Sequence, residues 1–110
     1  MKYVMLVCVD ENVERNADPT EWVEEMERRG IRQWGSRLRP VRDSTTVQVR
    51  DGEVLVADGP FAETKEQIGG IDILECADLD EAIQIAAKHP AAAFGTLELR
   101  PLWEGRFWEE

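Results

Sequence analysis

The 110-residue chain is predicted to fold as a single α+β domain, with two helices on one face of a largely antiparallel sheet. Three observations predict it. The periodic segments run strand, helix, strands with a hairpin, strand, helix, strand. Two segments open on helix caps and then carry apolar residues at helical spacing. Between them, Thr46 to Ala57 alternates around Asp51-Gly52, a favoured two-residue hairpin turn.

Taken in order, Lys2 to Val9 is nearly continuous apolar sequence, as expected of a central strand buried on both faces. Asp10 to Ala17 is polar and reads as a loop. Asp18-Pro19-Thr20-Glu21 reads as a helix start, with Asp18 as cap, Pro19 in the first helical position and Glu21 as the capping-box acid. Trp22, Val23 and Met26 form a narrow stripe expected to enter the core. Glu24 with Arg28 and Glu25 with Arg29 are favourable pairs four apart, and Gly30 is the expected stop.

A short second strand is expected around Gln33 to Leu38, ended by Pro40. Trp34 fits either a core or a cleft. Closing the hairpin at Asp51-Gly52 pairs Arg50 with Glu53, Val49 with Val54 and Val47 with Val56, which puts all four valines on one face. Ile68 to Cys76 resumes a strand, where Gly69-Gly70 suggests a bulge or a close backbone approach. Asp78-Leu79-Asp80-Glu81 is a second capping box, followed by the stripe Leu79, Ala82, Ile83 and Ala86. Lys88 and His89 complement the helix end, and Pro90 terminates it. Thr96 to Arg100 alternates as a half-buried strand, and Trp103, Phe107 and Trp108 form an aromatic tail over 103–110. The plan is compatible with a ferredoxin-like split β-α-β unit carrying an extra β-hairpin. Residues 1–110 show no repeat, low-complexity segment or domain boundary.

Composition narrows the function. Apolar residues are 43% of the chain and charged residues 33%, an ordinary globular balance. The net charge of -10 opposes a nucleic-acid partner, since phosphate contacts need a basic footprint. Arg28, Arg29, Arg32, Arg37, Arg39 and Arg42 follow an acidic block; they either neutralise it or line an anion site. Cys8 and Cys76 lie in apolar runs without Cys-x-x-Cys spacing and read as free thiols of a reduced compartment. With one histidine, no metal cluster is expected, and no cofactor. No apolar run is long enough for a bilayer, and the start reads as a strand rather than a signal peptide, so a cytoplasmic location is expected.

The least ordinary stretch is Asp58-Gly59-Pro60-Phe61-Ala62-Glu63-Thr64-Lys65-Glu66, entered by Val54-Leu55-Val56-Ala57. Gly59 and Pro60 make a stiff bend at a strand end. Asp58 has two readings: a shielded carboxylate working as acid or base, or a turn former that accepts backbone N–H groups. His89 likewise serves either as a partner of Asp58 or only as a complement to a helix end. Gly59, Pro60 and Phe61 are candidates to line a ligand, and Lys65 to meet an anionic group. Glu63 and Glu66 belong to a solvated rim, an ion pair or the ligand contacts, and Thr64 more simply serves the turn.

The nine residues from Asp58 to Glu66, with Gln67-Ile68-Gly69-Gly70, resemble the signature of the DGPF branch of YCII-related proteins. The likeness continues through Asp78-Leu79-Asp80-Glu81-Ala82, Lys88-His89-Pro90-Ala91-Ala92 and Leu97-Glu98-Leu99-Arg100-Pro101, so it covers most of the chain. The resemblance implies a ferredoxin-like fold that dimerises into an α/β barrel-like assembly. It also implies a cleft for which a histidine–aspartate pair has been proposed. The wider family includes a dehydrochlorinase of a chlorinated aromatic. The branch is often encoded beside extracytoplasmic-function sigma factors, and it has been labelled as linked to phosphonate metabolism. Asp58 matches the Asp of the loop motif. The family's histidine belongs to the first helix, and residues 18–30 contain none. Two functions follow as expectations. One is a homodimer that binds a small anionic or aromatic molecule at the Asp58 loop, with metal-free acid–base chemistry. The other is a regulatory partner of another protein, for example a sigma factor.

Overall fold

The computed structural model describes residues 1–12 and 18–105. Its elements are β1 (Lys2–Val9), α1 (Thr20–Arg28), β2 (Arg32–Arg37), β3 (Thr45–Arg50), β4 (Glu53–Asp58), β5 (Gln67–Glu75), α2 (Leu79–Ala87) and β6 (Thr96–Pro101). Short 3₁₀ turns stand at Val41–Asp43 and Pro90–Ala93. Four strands form one sheet in the order β2-β5-β1-β6, every neighbour antiparallel. The β3–β4 hairpin is a separate two-stranded sheet. This α+β arrangement is compatible with a ferredoxin-like fold. No helix among the described residues is long and apolar enough to cross a membrane.

Strand alternation divides the residues between two faces. Tyr3, Met5 and Val7 of β1 and Leu74 of β5 join Trp22, Met26, Ala82 and Ile85 of the helices in one buried cluster. Met5, Met26, Leu74 and Ile85 are fully buried, each contributing about 1.5–3 kcal/mol by loss of apolar surface from water. Trp22 Nε1 donates to the carbonyl of Ile85 at 3.0 Å, which ties α1 to α2. The opposite face is open. There Val4 stands opposite Ile73 and Leu6 opposite Ile71, with Trp34 beyond Ile73 and with Arg100 and Glu98 on the β6 side.

Several local expectations shift by a residue or a side. Asp18 accepts the Thr20 N–H at 2.9 Å, but α1 starts at Thr20, with Pro19 outside it. The α2 box forms: Asp78 accepts the Glu81 N–H at 2.9 Å, and Glu81 accepts the Ala77 N–H at 3.0 Å. The buried stripe of α2 is Ala82, Ile85 and Ala86, whereas Leu79 and Ile83 are half exposed. Ile85, on the buried side of α2, is also where Trp22 Nε1 reaches the helix. Gly69 is the extra residue of a bulge, since Val7 pairs with Gly70 and Cys8 with Ile68. The bulge alternative is therefore the one that forms; a Cβ on Gly69 would stand 2.8 Å from the Val9 side chain, with the nearest backbone atom, Val7 O, at 3.8 Å. Trp34 is 58% exposed, on the open face rather than in the core. Trp103 is 77% exposed; Phe107 and Trp108 lie outside the described residues.

The hairpin forms in the register read from its turn, Arg50 opposite Glu53, Val49 opposite Val54 and Val47 opposite Val56. Asp51 (φ 50°) and Gly52 (φ 80°) take the left-handed angles of a two-residue type I′ turn. The valines share one side, as expected, yet they face solvent, 57–66% exposed. Nothing else in the described chain packs firmly on this hairpin.

Candidate functional site

The motif loop leaves β4 at Asp58 and is fastened through Gly59 rather than through the aspartate. Gly59 (φ 97°) donates its N–H to the carbonyl of Ser44 at 2.8 Å, and its own carbonyl accepts the Thr46 hydroxyl at 2.8 Å. At that backbone angle a side chain is strained, so glycine suits the position. Asp58 is exposed, opposite Thr45. Among the described residues no hydrogen bond or ion pair uses its carboxylate. The turn-forming reading of Asp58 is therefore not how the bend is held. The described residues do not supply the shielding that acid–base work needs either.

Ser44 has a second neighbour. Together with Leu38, Arg39, Pro40, Val41, Asp43 and Ile68 it lines a hollow of about 500 Å³. That volume is within the range of small-molecule sites, about 300–1,000 Å³. Leu38, Pro40, Val41 and Ile68 make its walls apolar. Arg39 and Asp43, paired at 3.0 Å, put charge at its edge. The loop at 38–44 is pinned at its start, where Leu38 donates its N–H to Gly69 at 2.9 Å, and at its middle, where Val41 donates to Glu11 at 3.1 Å. A smaller hollow of about 310 Å³ lies between the helices, lined by Arg29, Asp78, Ile85 and Lys88 among others; it includes no motif residue.

The remaining motif residues are disposed as a rim. Pro60 is half-buried, Phe61 is 82% exposed, and Glu63 and Lys65 are exposed. Thr64 donates its hydroxyl to the Glu66 carbonyl, the turn role expected of it. Glu66 accepts the Thr96 hydroxyl at 2.9 Å, joining the loop's end to β6.

His89 belongs to a different neighbourhood. Its ring meets the Trp22 ring edge-on, centroids 4.8 Å apart, and its Nδ1 accepts the Ala91 N–H at 3.0 Å. Burial holds the imidazole below its ordinary pKa, while the Asp72 carboxylate pulls it back up. Instead of offering a protonated ring to the end of α2, the side chain caps the 3₁₀ turn that follows. No hydrogen bond or ion pair joins His89 to Asp58 among the described residues.

Two features escaped the sequence reading. Asp72 is buried on the helix face and accepts from Arg32 Nε at 2.7 Å; Arg32 also reaches Glu27 at 2.9 Å. One acid inside the apolar run Ile71-Asp72-Ile73-Leu74 was the available signal. The hollow was the other, and no local pattern marks it, because Ile68 and the 38–44 loop meet only in the fold. Three of the six arginines have ion pairs among the described residues: Arg29 with Glu25 and Arg32 with Glu27 of the acidic block, Arg32 also with Asp72, and Arg39 with Asp43 at the edge of the hollow. Cys76 is buried and Cys8 half-buried, both free, and burial raises both thiols, with Glu98 and Glu66 adding to it at Cys8.

The family model described as the YCII-related domain matches residues 1–106. An uncharacterized protein of Rhizobium meliloti (strain 1021) is 45% identical over 69 residues, 61% of this chain and 56% of that protein. The matched stretch thus spans little more than half the length of that relative.

Proposed function

Since the chain belongs to the YCII-related domain family, we propose that it is a homodimeric small-molecule-binding protein of the DGPF branch, working in the cytoplasm. One observation carries the reading. The motif loop is bolted through Gly59 to Ser44, and Ser44 is a wall of the ligand-sized hollow. A stiff bend is useful at such a place because it presents Asp58 and Pro60 without an ordering cost on binding.

The apolar walls and Arg39 suit a small aromatic or other apolar body carrying an anionic group. Asp58, whose carboxylate has no hydrogen bond or ion pair among the described residues, is assigned as the group that accepts a proton from the ligand or returns one, with no metal in the scheme. Such chemistry needs a ligand posed within hydrogen-bond reach of that carboxylate. His89 is assigned to capping the 3₁₀ turn Pro90–Ala93 through the Ala91 N–H, with its ring against Trp22.

The test uses benzoate as probe. Amide shifts of residues 38–44, 59 and 68 are expected on titration to about 10 mM, the affinity range of a minimal fragment. The Asp58→Asn variant should keep its melting temperature and change the shift pattern at residue 59. Absence of shifts, or shifts confined to the surface between α1 and α2, overturns the reading. The second reading, a regulatory partner of another protein, draws on the net charge of -10, which would meet a basic patch. It predicts partner capture that is weakened by salt and untouched by Asp58→Asn.

A further inference from the structure

The hairpin is anomalous as part of a lone chain. An isolated two-stranded hairpin is marginal in water; it needs further strands or a packed face. This one presents Val47, Val49, Val54 and Val56 to solvent on a single side. The molecule is correspondingly spread out, 47 × 45 × 19 Å, with a radius of gyration of 16.2 Å against about 13 Å for a compact domain of this length. It exposes 8215 Å², where a compact 12.6 kDa monomer exposes about 6,200 Å². The excess, roughly 2,000 Å², is the share each chain contributes to an obligate dimer interface. The chain also has a second apolar surface not fully covered, the sheet face turned from the helices, where Val4, Leu6, Ile71 and Ile73 are only half-buried.

We propose that the β3–β4 hairpin is an arm that lays its four-valine face on a second copy of this chain, covering the motif aspartate as it does so. The occupant follows from the areas. Two apolar surfaces not fully covered on one chain are both satisfied by a two-fold pairing, in which each chain lends its arm and receives the other. Alternation fixes what is covered. Thr45, Val47 and Val49 on β3 lie opposite Asp58, Val56 and Val54 on β4, so Asp58 stands on the valine side, at the arm's root. A second copy on that face removes Asp58 from bulk water. The site of the proposed chemistry is then incomplete in one chain and is finished by its partner. The inference rests on the homodimer reading above and adds where the contact is and what it does to Asp58.

The experiment compares wild type with Val49→Lys/Val54→Lys. Both positions are more than half exposed in the single chain, so the core is untouched. Val49→Thr/Val54→Thr, which keeps strand propensity and shape, guards against a folding artefact. Sedimentation velocity reads mass, amide hydrogen exchange reads residues 45–58, and a neutral gadolinium chelate reads the exposure of the Asp58 methylene by NMR. Wild type is expected at twice the chain mass. The lysine variant is expected at the single mass, with hairpin exchange at least tenfold faster and Asp58 broadening at least threefold stronger. The threonine variant should dimerise at least tenfold more weakly. If wild type sediments as one chain, this inference and the homodimer reading both fall. If the lysine variant keeps twice the mass with unchanged hairpin exchange, or if Asp58 broadens equally in both, the arm is overturned and the homodimer reading stands.

Discussion

Arg32 donates from Nε to Asp72 Oδ1 at 2.7 Å, linking β2 to β5 on the buried side of the sheet, and Gly35 makes the room for it. Gly35 is paired directly with Asp72, and a Cβ there would land on Asp72 Oδ1 and Arg32 Nη2. Both partners are largely withdrawn from water, side chains 9% and 16% exposed. Leaving one buried charge alone costs about 3–5 kcal/mol in closed sites, less where a second acid remains. Glu27 still reaches Arg32 here. Asp72→Asn is therefore expected to lose about 2–3 kcal/mol, and Gly35→Ala about 1–3 kcal/mol through overpacking. Urea unfolding followed by tryptophan fluorescence measures both. A loss within experimental error for Asp72→Asn would show the pair to be idle.

His89 gives the fold an acid-side weakness. Burial holds its folded pKa below the ordinary value, and its Nδ1 accepts the Ala91 N–H, a bond available only to the neutral ring. As pH falls, the unfolded chain takes up the proton first, near the ordinary histidine value of about 6.5. Stability is thus full above that value. It declines as pH drops from there toward the lowered folded pKa, because the unfolded state binds more protons in that window. His89→Asn keeps an acceptor for Ala91 and removes the titration. Melting temperatures from pH 8 to pH 5 should fall less steeply for the variant than for wild type. Parallel curves would remove His89 from the account.

Local sequence carried most of the architecture. Asp51-Gly52 and the charge pair Arg50–Glu53 specified the hairpin register, and Asp78 with Glu81 specified the start of α2. Such features are decided within a few residues, so they can be read without the fold. What local pattern did not carry was which apolar faces the rest of the fold covers. The valines alternate as a buried face should, but alternation says which residues share a side and not what covers it. Leu79 and Ile83 sit at helical spacing from Ala82 and Ala86, yet α2 turns Ile85 rather than these two to the core. At the site, the bend at Gly59 was legible in its residues, whereas its fastening to Ser44 and Thr46, 15 and 13 positions away, was not.

That fastening yields the last prediction, which separates backbone angle from packing. Gly59 has φ 97° and open space where a Cβ would go, so Gly59→Ala meets no clash and is penalised by dihedral strain alone. Gly69→Ala has the reverse problem, an ordinary backbone angle and Val9 Cγ2 at 2.8 Å. Thr46→Val leaves the shape and removes the hydroxyl donor to the Gly59 carbonyl. Gly59→Ala is expected to cost about 1–3 kcal/mol from strain and Thr46→Val about 0.5–1.5 kcal/mol. Gly59→Ala and Thr46→Val should speed amide exchange at Gly59 and weaken benzoate binding in the hollow. Gly69→Ala should lower stability by a comparable amount through the crowded bulge, yet leave Gly59 exchange unchanged. The decisive readout is the contrast in local exchange at equal global stability. If all three variants disturb Gly59 alike, the loop is not held by these two bonds, and the hollow's link to the motif is lost with them.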